Sequence, residues 1–291
     1  MNNEYTGREI AIFTDVHGLL EPLEAILEDI KNRNITEIYS LGDNIGDGPN
    51  PKEVLDLLEQ HKVKSIAGNS EDYITLGTKP FSYIKDERIK ECNWTLSKLD
   101  NHQIKNLEIF PHTIELFLGN KRIALCHFAN DVRFDFRINS TWKYQKKINA
   151  NDPNANAQFL YTNSIEQQEE IEEHIQTGKD EDKGFVSAYN DPLFHGKEIT
   201  SYDEVIQGHN HFKHLIESNG IKVRTIRALA MAYNGDQNNL AFYIILKEKQ
   251  DGYDVEEILV PYNRNKMLES INESDMPNKE KVKKFTNLLV K

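Results

Sequence analysis

Seven side chains able to hold metal ions recur along the chain in five short clusters. Asp15 and His17 lie in Asp15-Val16-His17-Gly18, Asp43 in Gly42-Asp43-Asn44, and Asn69 in Gly68-Asn69-Ser70-Glu71; His127 stands alone, and His209 and His211 share Gly208-His209-Asn210-His211. Imidazoles mixed with carboxylates suit manganese, iron, zinc or nickel, whereas calcium or magnesium would call for oxygen donors throughout. Seven donors exceed what one ion uses while leaving room for a substrate. Two divalent ions about 3.5–4 Å apart, bridged by one carboxylate and a water, would use all seven. Manganese is the first choice, with iron, zinc or nickel as alternatives. Two such cations set against two aspartates and a bridging hydroxide leave the site net positive. That charge would draw in a small phosphate ester.

The elements that must position these residues are legible from hydrophobic periodicity. Residues 9–14, 37–41 and 63–67 read as buried strands. Between them, 20–32 places Leu23, Ile26, Leu27 and Ile30 at helical spacing, and 51–60 begins with Pro51 and carries Val54, Leu57 and Leu58 on one face. Strand, helix, strand, helix, strand implies right-handed crossovers and a parallel sheet, an α/β fold. Residues 81–106 are mostly helical. Residues 112–118 and 121–126 read as strands joined by a Gly119-Asn120 turn, and 203–207, 213–217, 222–228, 240–246 and 255–260 follow as further strands. Each metal-ligating cluster therefore follows a strand. Ligands gather outside the carboxyl ends of strands in such sheets, so the clusters should converge despite separations of 28, 26, 58 and 82 residues. Gly18, Gly42, Gly68 and Gly208 stand where the backbone must turn sharply or pass close to the ligands.

The remaining chain bounds the partners. Lysine and arginine total 35 against 47 acidic residues, a net charge of −12, which disfavours extended nucleic acid and anionic membrane. No apolar run approaches the roughly 18–20 residues that span a bilayer, and the first residues lack the pattern of a secretory signal. Cys92 and Cys126 are too few for a disulfide framework and fit a reducing, cytoplasmic setting; Cys126 is expected to point into the core. The expectation is one domain over 1–291, with an insertion at about 130–201 and a C-terminal helix at about 277–291. The insertion holds an acidic helix at 164–176 and a cationic, aromatic stretch at 132–148 of net charge +4, which contains Arg133 and Arg137. That stretch can cap the site and bind phosphate. His195, in the same insertion, is a candidate proton donor from a loop, while His112 and His214 read as ordinary sheet residues.

The ordered motifs resemble the calcineurin-like metallophosphoesterases over about 9–130 and 203–260, and the segment 41–51 is similar to a small prokaryotic branch of that superfamily. The resemblance implies an α-β-β-α sandwich with two packed sheets and a dinuclear centre on one edge. It implies that Asp15, His17 and His211 hold one ion, that Asn69, His127 and His209 hold the other, and that Asp43 bridges them. On that ligand set Asp43, Asn69 and His127 become the catalytic residues; Ser70, Arg133, Arg137 and His195 are expected as substrate contacts from the chain's own pattern rather than from the resemblance. Where many members carry a histidine that protonates the leaving group, this chain has Ser70, which removes help worth about 10²–10⁴-fold. Leu19 also replaces a common asparagine. The function implied is metal-dependent phosphodiester hydrolysis by a bridging hydroxide. Phosphomonoester or phosphoprotein hydrolysis is the enzymatic alternative, and a non-catalytic binding scaffold is the third reading.

Overall fold

The computed structural model describes residues 7–77, 85–128, 202–209, 211, 213–218, 221–231 and 240–286. Its first half follows the sequence pattern closely. β1 (Glu9–Phe13), α1 (Leu20–Asn32), β2 (Glu37–Ser40), α2 (Pro51–Gln60) and β3 (Lys64–Ser65) form two parallel crossovers, with β1 on β2 and β2 on β3. Alternation along β1 assigns its faces. Ile10 and Ile12 point between the sheets, while Ala11 and Phe13 meet the helices. α1 lays Leu23, Ile26, Leu27 and Ile30 on that second face, each fully or almost fully buried. Each contributes roughly 1.5–3 kcal/mol by leaving water.

α3 (Asn69–Thr75), α4 (Asp86–Lys98) and α5 (Asn101–Leu107) come next. The expected helical stretch breaks where Asp100 caps α5, accepting hydrogen bonds from the N–H groups of His102 and Gln103, both at 2.9 Å. β4 (Thr113–Leu118) and β5 (Lys121–Cys126) form the expected hairpin, with Gly119 left-handed at φ +56°. β6 (Glu204–Gln207), β7 (His214–Ser218) and β8 (Ile221–Thr225) complete the second sheet, and β9 (Ala241–Lys249) and β10 (Gly252–Val260) return to the first. The sheet orders are β10-β9-β1-β2-β3 and β4-β5-β6-β8-β7. Ile10, Ile12, Phe242 and Ile244 of one sheet face Leu116, Ile123, Leu125 and Ile206 of the other. The architecture is thus mixed α/β with two packed sheets. Among the described residues, α1, α2, α3, α4 and α5 contribute to the core on the outer face of the first sheet.

The structure adds to the sequence reading at three places. The first sheet is mixed, because β9 joins β1 antiparallel. β3 shortens to two residues because the chain leaves the ladder there, the Ala67 N–H bonding to the Pro111 carbonyl instead. α6 (Arg264–Glu273) follows β10, capped by Asn263, with Met267 and Ile271 buried beside Leu19, Ala228 and Met231. The closing helix α7 spans Lys279–Phe285, and the rest of the expected 277–291 helix beyond residue 286 lies outside the described residues. So does the whole expected insertion at 130–201. No helix among the described residues is long and apolar enough to cross a membrane.

Candidate metal centre

All five clusters reach one place. The loop after β1 is sewn to the loop after β2, with Asp15 N–H donating to Gly42 O (3.1 Å), His17 N–H to Asp43 O (2.8 Å) and Gly18 N–H to Asn44 O (2.9 Å). The Gly208 N–H, after β6, donates to His127 O at 3.1 Å, beyond β5. Asn69 is the first residue of α3.

Two sets of donors result. In one, His211 Nε2 lies 3.0 Å from His17 Nε2 and 3.4 Å from Asp15 Oδ1, and His17 Nε2 lies 3.8 Å from Asp15 Oδ1. In the other, Asn69 Oδ1 lies 3.1 Å from His127 Nε2 and 3.0 Å from His209 Nδ1, and the two imidazole nitrogens are 3.2 Å apart. Asp43 stands between them, with Oδ2 3.8 Å from His17 Nε2 and Oδ1 3.6 Å from His127 Nε2. Asp15, His17 and His211, and separately Asp15, Asp43 and His127, each converge tightly enough to hold a single ion.

The donor chemistry fits a cation. Asp15 is fully buried and its Oδ1 has no hydrogen-bond partner, an expensive state for a carboxylate unless a positive charge sits beside it. Its Oδ2 accepts the His209 N–H at 3.0 Å. Burial alone would raise Asp15, yet the imidazoles of His211, His127 and His17 outweigh it and hold the carboxyl well below the usual range. Burial lowers His17. His209 keeps an exposed outer edge, but desolvation on its inner side, with His127 alongside, pushes it down to about 4. Depressed imidazoles remain neutral and keep lone pairs free for a metal.

The backbone is strained to this end. Asp15, His17, Asp43, His209 and His211 all adopt left-handed φ between 50° and 69°, a conformation that costs side-chain-bearing residues about 1–3 kcal/mol each. Gly208 is required for a different reason. A Cβ there would collide with Thr14 Oγ1 and sit 2.7 Å from Asp15 Oδ2, so only glycine lets β6 deliver His209 beside Asp15.

All seven expected ligands come together. Ser70 is buried in the first turn of α3, its N–H donating to Asp43 Oδ1 at 2.7 Å, and its hydroxyl lies against Gly46 with no hydrogen-bond partner. Arg133, Arg137 and His195 lie outside the described residues. His112, just before β4, is buried with Nε2 3.1 Å from Asp72 Oδ1. Cys126 is buried as expected.

Two carboxylates at the site were not singled out from the sequence. Glu71 is fully buried and accepts the N–H groups of Asp43 (2.9 Å), Asn44 (2.8 Å) and Gly68 (2.8 Å), tying the loop after β2 to the start of α3. Burial and the neighbouring Asp43 push it up to about 7. Its position three residues after Gly68 is half of a capping box, which is the signal that could have found it. Asp47 Oδ2 faces His17 Nδ1 at 3.4 Å. Burial would raise its carboxyl, but Arg88, His17 and Lys281 prevail and hold it well below the usual range.

Comparison with known proteins agrees with this geometry. The profile of the calcineurin-like phosphoesterases matches residues 8–223. An uncharacterised protein of Methanocaldococcus jannaschii, MJ0912, is 36% identical over 118 residues, which is 40% of this chain and 48% of that protein. The match thus spans about half the length of this curated relative. Among solved structures, the hypothetical protein PH1004 of Pyrococcus horikoshii aligns over 97% of both chains, with a TM-score of 0.63 at 15% identity. A metallophosphoesterase from Sphaerobacter thermophilus aligns over 94% of this chain and 96% of its own, with a TM-score of 0.57 at 20% identity. At these identities the likeness speaks for the fold.

Proposed function

We infer the function from one premise: the chain belongs to the calcineurin-like phosphoesterase family, whose profile matches residues 8–223. Membership supports a metal-dependent hydrolase of phosphoric esters. Beyond that, we propose that two divalent ions, manganese first among the candidates, are held by Asp15, His17 and His211 on one side and Asn69, His127 and His209 on the other. The observation that carries this reading is Asp43, whose two oxygens face imidazoles of opposite sets. When bound, such ions supply Lewis acidity at the phosphoryl oxygens and a water acidified toward neutrality.

The chain's own residues hold this arrangement in register. The Ser70 N–H fixes the rotation of the Asp43 carboxylate. His127 donates from Nδ1 to the Leu41 carbonyl at 2.8 Å, which selects the tautomer that leaves Nε2 for the site. Asn69 contributes a neutral oxygen, so the site retains positive charge to draw a phosphate ester toward a protein of net charge −12. Because Ser70 is buried and its hydroxyl lies against Gly46, it offers a leaving alkoxide no imidazole. Diesters carry less negative charge than monoesters, and those with acidic leaving groups need no proton donor, so we favour phosphodiesters. Arg133, Arg137 and His195 are proposed as substrate contacts. Cys92 and Cys126, both buried and neither in a disulfide, support a reducing, cytoplasmic setting.

The test is hydrolysis of bis(p-nitrophenyl) phosphate by manganese-reconstituted protein, with Asp43→Asn alongside. Metal-dependent turnover lost in the variant is the expected result. Faster turnover of p-nitrophenyl phosphate would overturn the diester preference, and no turnover from protein holding two ions would overturn hydrolysis in favour of a binding role.

A further inference from the structure

His127 and His17 are both buried imidazoles that turn Nε2 toward the site, but their far nitrogens are treated differently. His127 Nδ1 is fixed by a backbone carbonyl. His17 Nδ1 is buried, makes no hydrogen bond in this geometry, and is faced by the Asp47 carboxylate, Oδ2 at 3.4 Å. The loop is built to bring Asp47 there. The Gly48 N–H donates to the His17 carbonyl at 2.8 Å, and Asp47 itself takes a left-handed φ of 48°. Outside the ligands, it is the residue of this site that shares their strain.

The other Asp47 oxygen is held from behind. Arg88 Nη1 of α4 lies 2.8 Å from Oδ1, and Lys281 Nζ of α7 lies 3.2 Å from it. Glu91 closes the cluster, 3.0 Å from Arg88 and 3.5 Å from Lys281, and accepts the Asn278 side-chain N–H at 2.7 Å. Two cations and two carboxylates balance, so the cluster carries no net charge into the interior. One Asp47 oxygen is thereby committed to the cations of α4 and α7, and the other is left for His17.

We propose that Asp47 is a positioning residue for His17, holding the imidazole proton on Nδ1 so that Nε2 is left for a metal, and that through its clamp by Arg88 and Lys281 the C-terminal helix α7 sets the affinity of one ion. This rests on the reading of the site as a metal centre. A carboxylate behind a ligating imidazole fixes its tautomer and raises its basicity, and losing such a partner costs about 10–100-fold in metal affinity. The imidazole that Asp47 faces is His17, of the Asp15–His17–His211 set, so the loss should fall on one ion and spare the other.

The experiment is a manganese titration by calorimetry of wild type, Asp47→Asn and Lys281→Met, with nitrogen-15 NMR of the imidazoles in the zinc-loaded proteins. Wild type is expected to bind two ions, with His17 protonated on Nδ1. Asp47→Asn should weaken one ion by about 10–100-fold and leave the other unchanged, and its His17 resonances should lose the pattern of a fixed Nδ1–H tautomer. Lys281→Met should weaken the same ion by roughly 3–10-fold. If Asp47→Asn fails to fold because Arg88 and Lys281 are left with Glu91 as their one carboxylate, Asp47→Asn combined with Arg88→Met restores the charge balance and serves in its place. Two ions bound with wild-type affinity and an unaltered His17 tautomer in the Asp47 variants would overturn the inference while leaving the metal centre intact. No ion bound by wild type would overturn the metal-centre reading itself.

Discussion

Replacing Gly208 by alanine tests whether the ends of β1 and β6 meet as closely as the site requires. Gly208 is not left-handed, so alanine costs it little in backbone preference; the penalty is contact. The new methyl would overlap Thr14 Oγ1 and sit 2.7 Å from Asp15 Oδ2 and 2.9 Å from Thr14 Cβ. Ordinary contact for a Cβ begins near 3.4 Å, so the strands must part by more than half an ångström. Neither neighbour can swing away, because Thr14 and Asp15 are both fully buried. Overpacking of this kind costs about 1–3 kcal/mol, and parting the loops stretches the His209 N–H bond to Asp15, a charge-assisted bond worth about 1.5–3 kcal/mol. The two losses overlap, so roughly 3 kcal/mol is expected. At about 2–4 °C per kcal/mol for a chain of this class, Tm should fall by about 6–12 °C. Gly77→Ala is the control. Gly77 has φ +74° and open space for 4 Å around the point where a methyl would stand, so it reads out left-handed strain alone, about 1–2 kcal/mol. Scanning calorimetry of both variants, with manganese titration in parallel, separates the cases, since only Gly208→Ala should also weaken metal binding. Equal Tm losses and unchanged metal binding in the two variants would refute the close approach.

Two further outcomes follow from the same geometry. In metal-free protein, His209 is held at about 4 against 6.5, so the unfolded chain takes up a proton first as pH falls. Its stabilisation is complete above about 6.5 and is lost toward 4. Glu71, held at about 7 against 4.5, works the other way: its contribution is full below 4.5 and is lost as pH rises through 7. Thermal melts from about pH 8 to 4 should therefore show His209→Gln losing less stability on acidification than wild type, and Glu71→Gln losing more. Asp100→Ala removes the acceptor for two N–H groups at the start of α5; it should cost about 1 kcal/mol in denaturant melts and leave metal affinity unchanged.

What the sequence made legible was periodicity and order. α1 and α2 begin and end where the pattern places them, because Leu23, Ile26, Leu27 and Ile30 make an unbroken stripe and Pro51 fits a first helical turn. The seven donors were legible because each follows a strand, and the parallel strands β1, β2 and β3 of one sheet and β5 and β6 of the other bring their carboxyl ends to one place. α6 escaped notice because it buries just Met267 and Ile271 in an otherwise polar segment, too thin a stripe to stand out. Glu71 and Asp47 escaped for another reason. Glu71 stands beside Asn69 but works on three backbone N–H groups, and Asp47 works on the far side of an imidazole, so neither is itself a ligand. Their roles exist only once three loops are in contact.

The strain was the least legible feature and says most about the site. Of the nine non-glycine residues with left-handed backbone among those described, six are Asp15, His17, Asp43, Asp47, His209 and His211. Aspartate and histidine enter that conformation more readily than most side chains but do not prefer it, so no local reading of sequence reports it. The loops keep it because their backbones are tied to one another, through Asp15 to Gly42, His17 to Asp43 and Gly48 to His17. Release of any one residue would break bonds held by the others. The same ties hold buried carboxylates and imidazole nitrogens within 3–4 Å of each other. Such a cluster turns carboxylate oxygens and the lone pairs of neutral imidazoles toward one another, and a cation at its centre relieves their repulsion. The cost of assembling the donors is thus borne by the fold before any ion arrives, so the binding energy of the ion need not be spent on ordering loops.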